Sequence, residues 1–233
     1  MLDDVTERRQ EEGNRLLADA GDLLAAPLDD EERLLRLARL AVPRLADWCA
    51  IDLYEEGHLR RAAVAHAQPG KVRVAEEIER CHPSDPDAPG PMRDVLRSGR
   101  PVLVEQVADE MLRGATRDEQ HLAALRSAGM RSVMIVPLAA RRRVLGALTL
   151  VCAESGRRLG ARELELALEL GTRAGIALDN ARLYRAERRA REAAEQAAEQ
   201  LARLQAVSAG LARALTPPMT SSVAGLTTSR VSL

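Results

Sequence analysis

The sequence predicts an α+β domain: an antiparallel sheet with flanking helices, running on into a long C-terminal helix. Three observations carry that reading. "MRSVMIVPLAARRRVLGALTLV", residues 130–151, holds two apolar runs pinched around three arginines, each too short for a membrane span and too apolar for a strand with one wet face. "DWCAIDLYEEGHLRRAAVAH" alternates on both sides of Glu56-Gly57, as a hairpin does. From Ala161 onward the chain reads as helix almost to its end.

The elements follow in order. Residues 5–26 carry Leu16, Leu17, Ala20, Leu23 and Leu24 at helical spacing, an amphipathic helix. Asp29 or Asp30 can cap a second helix, whose apolar positions are Leu34, Leu35, Leu37, Ala38 and Ala41. After the first hairpin, Pro69 to Arg80 read as helix, and the proline-crowded "CHPSDPDAPGP" must be loop. "PMRDVLRSG" is a short helix, "RPVLVEQV" a short strand, and residues 116–128 a helix stopped by Gly129. The second hairpin has arms Met130 to Ala139 and Arg143 to Ala153, with Arg141 and Arg142 in a solvated turn. Pro137 offers no ladder donor, so it belongs at a bulge or a ragged edge. A sheet with long helices on one face and loops with short helices on the other accounts for a hairpin that is apolar on both sides.

Composition narrows the function classes. A chain of 233 residues, 46% hydrophobic and 30% charged, has a soluble globular composition with ample material for a core. Its formal net charge of -1 and pI near 6.5 give no electrostatic footprint for nucleic acid, because the basic residues are interspersed with glutamates along helices. No apolar stretch reaches membrane-spanning length, and "MLDDVTERRQEEG" is charged where a signal peptide needs its apolar region, so the expected location is the cytoplasm, with no membrane partner. Lys71 is the single lysine, every other basic residue is arginine, and phenylalanine is absent, so leucine, valine, isoleucine and alanine must build the core. Cys49, Cys81 and Cys152 form no CxxC pair. They read as reduced thiols, Cys49 and Cys152 as small buried hydrophobes, and Cys81-His82 alone does not make a metal site.

Three blocks, "LADWCAIDLYEEGHLRRAAVAH", "AALRSAGMRSVMIVPLAARRRVLGALTLV" and "LGTRAGIALDNARLYRAE", resemble in order the GAF domains of bacterial sensor proteins, the type found upstream of histidine kinases and PP2C-type phosphatases. The resemblance covers residues 13–216. It implies a PAS-like antiparallel sheet with a ligand pocket on one face, and a small-molecule sensing and dimerisation module of two-component signal transduction. On this reading the chain divides into an N-terminal signalling helix at 1–28, a GAF domain at 29–180, a coiled-coil helix at 181–216 and a disordered tail at 217–233, which is rich in Ser, Thr and Gly.

The family's ligands can be tested residue by residue. The cyclic-nucleotide signature of such domains includes a phenylalanine, which this chain lacks. His121 in "EQHLAALRSAGMRS" falls on the family's bilin-associated histidine, but Gln120 stands where the thioether cysteine would be, so no thiolate is available and a covalent tetrapyrrole is not expected. His121 reads better as a half-buried residue bonded to a neighbour than as a haem ligand. By resemblance the pocket-lining positions are His121, Val133, Ile135, Ala147, Thr149 and Val151, and on the hairpin only Thr149 carries a hydrogen-bonding side chain. Such a lining implies a small apolar ligand or a collapsed pocket, and collapse is the expectation, with no cofactor and no metal.

Leu183, Glu187, Ala190, Ala194, Ala197, Leu201, Leu204, Ser208, Leu211 and Leu215 follow alternating spacings of four and three, a heptad seam. The expected assembly is a homodimer with Leu183, Leu201, Leu204, Leu211 and Leu215 at its interface, and the partner implied by the resemblance is a histidine kinase or phosphatase. No kinase, phosphatase or cyclase motif is visible, so the chain reads as a non-catalytic sensory module, an orphan or truncated sensor input. The alternatives are a scaffold with a collapsed pocket and a GAF-fold methionine sulfoxide reductase. The last is disfavoured, because Cys152 alternates to the face opposite Val151.

Overall fold

The computed structural model describes residues 2–116 and 118–215, with side chains at 7–8, 10–116, 118–201 and 203–205; the tail expected to be disordered lies outside the described residues. The elements are α1 (Leu2–Ala25), α2 (Asp30–Ala41), β1 (Trp48–Glu55), β2 (His58–His66), a 3-10 turn (Pro69–Lys71), α3 (Val72–Cys81), α4 (Pro91–Ser98), β3 (Val102–Val104), α5 (Asp109–Gly114), α6 (Glu119–Ser127), β4 (Ser132–Ala140), β5 (Arg143–Cys152) and α7 (Ala161–Leu215). The strands form one sheet in the order β2-β1-β5-β4-β3, every neighbouring pair antiparallel.

Local chemistry accounts for the boundaries. Asp29 is the cap of α2, its Oδ1 accepting the Glu32 N–H at 2.8 Å. The β4–β5 turn places Arg141 and Arg142 at φ 46 and 66, the left-handed pair that a two-residue hairpin needs to match strand twist. Pro137 sits where expected. β3 pairs only with Val133 to Ile135, so β4 has no outer neighbour at Pro137, and the register slips just beyond it, between Leu138 and Ala139. The helix expected over 116–128 is found, shortened to Glu119–Ser127, and a separate short helix that the sequence reading did not include precedes it. Asp109–Gly114 forms its own short helix, and α6 begins only at Glu119, where Asp118 Oδ1 accepts the His121 N–H at 2.7 Å. Asp109 ties the two together through Arg113 (2.9 Å) and Arg126 (2.6 Å), which hold its carboxyl down at about 2, Arg126 contributing most.

One face of the sheet is the core. Cys49, Ile51, Leu53, Met134, Val136, Leu138, Leu148, Leu150 and Cys152 point to it and meet Leu16 and Ala20 of α1, Leu34 and Leu37 of α2, and Ala167, Leu170, Ala174 and Leu178 of α7. The approach is close enough to require glycine. A Cβ on Gly171 would stand 2.7 Å from the Pro137 carbonyl oxygen, and one on Gly175 would stand 2.5 Å from that of Ala139, so α7 lies directly on the β4 backbone. Within the sheet, a Cβ on Gly146 would collide with the carbonyl oxygen of Asp52. Asp47 pins the start of β1 to the end of β5. Its Oδ2 accepts the N–H groups of Ala153 (2.7 Å) and Ser155 (3.0 Å), and although burial pushes this carboxyl up, those bonds bring it below the usual range.

Residues 2–183 form one compact unit with the sheet, and the chain from Tyr184 forms a second, the continuation of α7. In that second unit every described side chain is exposed, and i,i+4 pairs such as Arg188–Glu192 and Arg191–Glu195 run along the helix.

Candidate functional site

Alternation along the strands decides what the other face presents. On β1 it presents Trp48, Ala50 and Asp52, and strand pairing sets Val151, Thr149 and Ala147 of β5 opposite them, with Val133 and Ile135 of β4 beyond. A straight row of Val64, Ala50, Thr149, Ile135 and Val102 thus crosses the sheet. Over this floor stand α3, the loop 82–90, the start of α4, and α5 and α6. They do not fill the space: a cavity of about 480 Å³ remains between them and the sheet.

The structure places His121, Ile135, Thr149 and Val151 on the cavity wall, as the sequence suggested. Val133 and Ala147 lie to the side. Val95 of α4 is fully buried with Ala147 and Ile135, and Val133 packs against that cluster and against the one that holds Val151. The pocket is therefore open rather than collapsed, which corrects the sequence-based expectation. The reason is that α3 and the proline loop stand off the floor, and polar side chains hold the gap at one end.

That polar end was missed. Asp52 is 1% exposed and faces the cavity. Its Oδ1 accepts from Arg61 Nε at 2.5 Å, and Arg61 Nη2 donates to Glu79 Oε2 of α3 at 2.8 Å. Glu79 in turn accepts the backbone N–H of Ser84 (3.0 Å) and its hydroxyl (3.1 Å), fastening the loop to α3. A β-bulge makes the arrangement possible: Ile51 pairs with Ala63 but Asp52 with Arg61, so Ala62 is the extra residue and Arg61 is turned onto the cavity face. Burial pushes the Asp52 carboxyl up, with Arg61 pulling against it. The signal was in the sequence. Counting outward from the Glu56-Gly57 turn pairs Glu55 with His58 and therefore Asp52 with Arg61.

At the opposite rim, the rings of His82 and His121 stack at 4.3 Å with their planes 5° apart, and His82 Nδ1 lies 4.0 Å from Asp118. The Asp118 carboxyl is held low, first by the backbone N–H of His121. Among the described residues that line the cavity, the Thr149 hydroxyl and the Trp48 indole N–H are buried with no hydrogen-bond partner. Between the two polar ends the wall is apolar, with Val64, Ile78, Leu125 and Met130. Among the described residues no group of three or more His, Cys, Asp or Glu could hold a metal ion. Cys49 and Cys152 are fully buried on the core face, and burial pushes the Cys49 thiol up to about 12.

Fold and cavity together define an α+β domain with a ligand-sized space on one side of an antiparallel sheet. The chain belongs to the GAF domain family, whose model matches residues 28–179. No curated protein sequence matches it. Among solved structures it is similar to the GAF domain of a phosphoenolpyruvate-protein phosphotransferase from Coxiella burnetii (TM-score 0.57, 16% identity, covering 76% of this chain and 98% of that one). It is also similar to the GAF domain of a protein assigned as a sensor histidine kinase in Pseudomonas syringae pv. tomato (0.51, 18%, 78% and 96%). A third likeness is to fRMsr of Staphylococcus aureus in its reduced form (0.51, 16%, 71% and 93%). At these identities the likeness is one of fold. No helix among the described residues is long and apolar enough to cross a membrane.

Proposed function

We propose that this protein is a non-catalytic sensory GAF module of bacterial signal transduction, acting in the cytoplasm without a resident cofactor. It takes a small molecule into the cavity over Thr149 and passes the result on through its terminal helices. The observation that carries the reading is the cavity of about 480 Å³ with two unpartnered buried polar groups on its wall, since such groups cost free energy until something bonds to them. The ligand would bring an acceptor for the Trp48 N–H or the Thr149 hydroxyl and an apolar body for the middle of the wall. The test is mass spectrometry of small molecules released on denaturing natively purified protein, with a thermal-shift screen of metabolites beside it. A stoichiometric metabolite, or a shift of several degrees, is expected; neither in any preparation returns the module to a scaffold role.

The output half of the reading is a parallel homodimer that engages a histidine kinase or phosphatase. Leu183, Leu201 and Leu204 are 45%, 60% and 64% exposed, which is a poor state for leucines at heptad positions unless a second copy covers them. The side chains of Leu211 and Leu215 lie outside the described residues. Sedimentation of the full chain as a monomer at micromolar concentration would remove this half.

The likeness to fRMsr favours one second reading, a methionine sulfoxide reductase. Against it stand two cysteines that face the core and a third, Cys81, whose thiol is pushed up by its bond to Glu77. Incubation with free methionine sulfoxide and a thiol reductant is expected to give no turnover.

A further inference from the structure

A second concavity, of about 690 Å³, opens between α1, the segment after α2, the loop joining β5 to α7, and the first turns of α7. Its base is apolar, with Leu16 and Leu45 buried beneath it, and Gly13 leaves room where a Cβ would stand 3.1 Å from Leu166. Its rim is not. Arg15, Arg44, Arg157, Arg158 and Arg162 all line it, against two carboxylates, Glu12 and Glu163. In a chain whose formal net charge is -1, that is a local concentration of one sign.

The charges sort into those already engaged and those that are not. Arg44 reaches Asp19 at 2.7 Å, and Arg157 donates to the carbonyls of Pro43 (2.6 Å) and Arg44 (3.1 Å), bracing the loop. Glu12 lies 3.8 Å from Arg8, and Glu163 accepts the Gly160 N–H at 3.0 Å, so both carboxylates have other work. Arg15, Arg158 and Arg162 have no ion-pair partner among the described residues. They come from α1, the loop and α7, three directions around one hollow.

We propose that this groove binds an oligophosphate, inorganic or on a nucleotide, gripped by Arg15, Arg158 and Arg162. A guanidinium presents paired donors in a plane, and three of them around one hollow can use more anionic oxygens than one carboxylate supplies; a chain of phosphates has them. Bound there, the ligand bridges α1 and the start of α7, two of the three helices that pack on the core face, so it reaches the same output as the cavity without entering it. The inference stands independently of what the cavity holds.

The test is calorimetric titration of the full chain with inorganic tripolyphosphate, with ATP and citrate in parallel arms. Tripolyphosphate is expected to bind with an affinity that falls as salt rises to about 150 mM. The Arg15→Gln/Arg158→Gln/Arg162→Gln variant should weaken it at least about tenfold, while Arg97→Gln/Arg100→Gln/Arg142→Gln, the same charge loss elsewhere, should leave it unchanged. ATP binding more tightly than tripolyphosphate assigns the site to a nucleotide; equal affinities assign it to the phosphates alone. Arg158→Gln by itself, an exposed loop change, keeps the test sound if the triple variant misfolds, and should weaken binding several-fold. No binding by the parent, equal losses in both triple variants, or citrate binding as well as tripolyphosphate overturns the proposal. Thr149→Val should not affect this titration, so failure here and failure of the cavity reading can be told apart.

Discussion

On the helix-covered face of the sheet, Cys49, Ile51 and Leu53 alternate into a space that α1, α2 and α7 close completely; on the other face, Trp48, Ala50 and Asp52 of the same strand look into a cavity of about 480 Å³. The strand is the same and its residues are one position apart. What differs is the cover. The long α7 laid on the backbone through Gly171 and Gly175 leaves no room, whereas α3 and the 82–90 loop are propped away by a network of Asp52, Arg61, Glu79 and Ser84. The comparison teaches that stability resides on one face and ligand-facing chemistry on the other, so substitutions should divide by the face they alter.

The largest effect should follow from Gly146→Val, which forces a branched side chain into the Asp52 carbonyl in the middle of the sheet. Overpacking against backbone cannot be relieved by a rotamer change, and a loss above about 4 kcal/mol is expected. Urea denaturation, or recovery only in the insoluble fraction, would show it. A loss within about 1 kcal/mol would mean that the core face is no tighter than the cavity face.

Next comes Arg61→Leu, which removes the cation between Asp52 and Glu79. Breaking a buried pair from one side leaves Asp52 without compensation, and a loss of about 3 kcal/mol at neutral pH follows. The loss should depend on pH in a definite sense. Burial already pushes the Asp52 carboxyl up, and without Arg61 its folded value rises further above the ordinary carboxylate value of about 4. A raised acid is penalised while ionised, so the destabilisation is full above the folded pKa and fades as pH falls to the unfolded one. Denaturation midpoints of parent and variant should therefore converge toward pH 4; curves that stay parallel would remove Asp52 as the cause.

The two faces also differ in how legible they were. Hairpins announce themselves through alternation and turn chemistry, and a core face needs nothing more than leucine, isoleucine and valine at the right period, so the sheet and the helix-covered side could be read directly. Part of the cavity floor was readable as well, because the family resemblance points to Thr149 and Ile135, which strand pairing then sets side by side. Its roof was not. Asp109–Gly114 is too short for a helical period to show, and the distance at which α3 and the loop stand off depends on the Glu79–Ser84 bonds, which no local pattern encodes. Asp52 opposite Arg61 lay within reach of simple counting, but the bulge at Ala62 and the recruitment of Glu79 from another element did not. Arg15, Arg158 and Arg162 meet only through the packing of α1 on α7.

The smallest effect should be that of Thr149→Val, and it sharpens the comparison most. The side chain keeps its volume and loses a hydroxyl that is buried on the cavity wall without a hydrogen-bond partner. In the empty protein that hydroxyl has been taken from water with nothing in return, so its removal should be neutral or raise stability by up to about 1 kcal/mol. The opposite change on the closed face, Leu150→Thr, would bury a new hydroxyl among leucines and also lose apolar volume, at a cost of about 2 to 5 kcal/mol. If the cavity is filled in the cell by a molecule that bonds to Thr149, the sign reverses for natively purified protein: the valine variant then melts below the parent, and the difference vanishes once both are stripped by denaturation and refolded. Paired thermal melts of native and refolded samples therefore read the occupancy of the cavity from a single hydroxyl. A variant that melts below the parent in both preparations would show instead that the hydroxyl has a partner within the protein itself, and the polar atom on which the sensory reading leans would be lost.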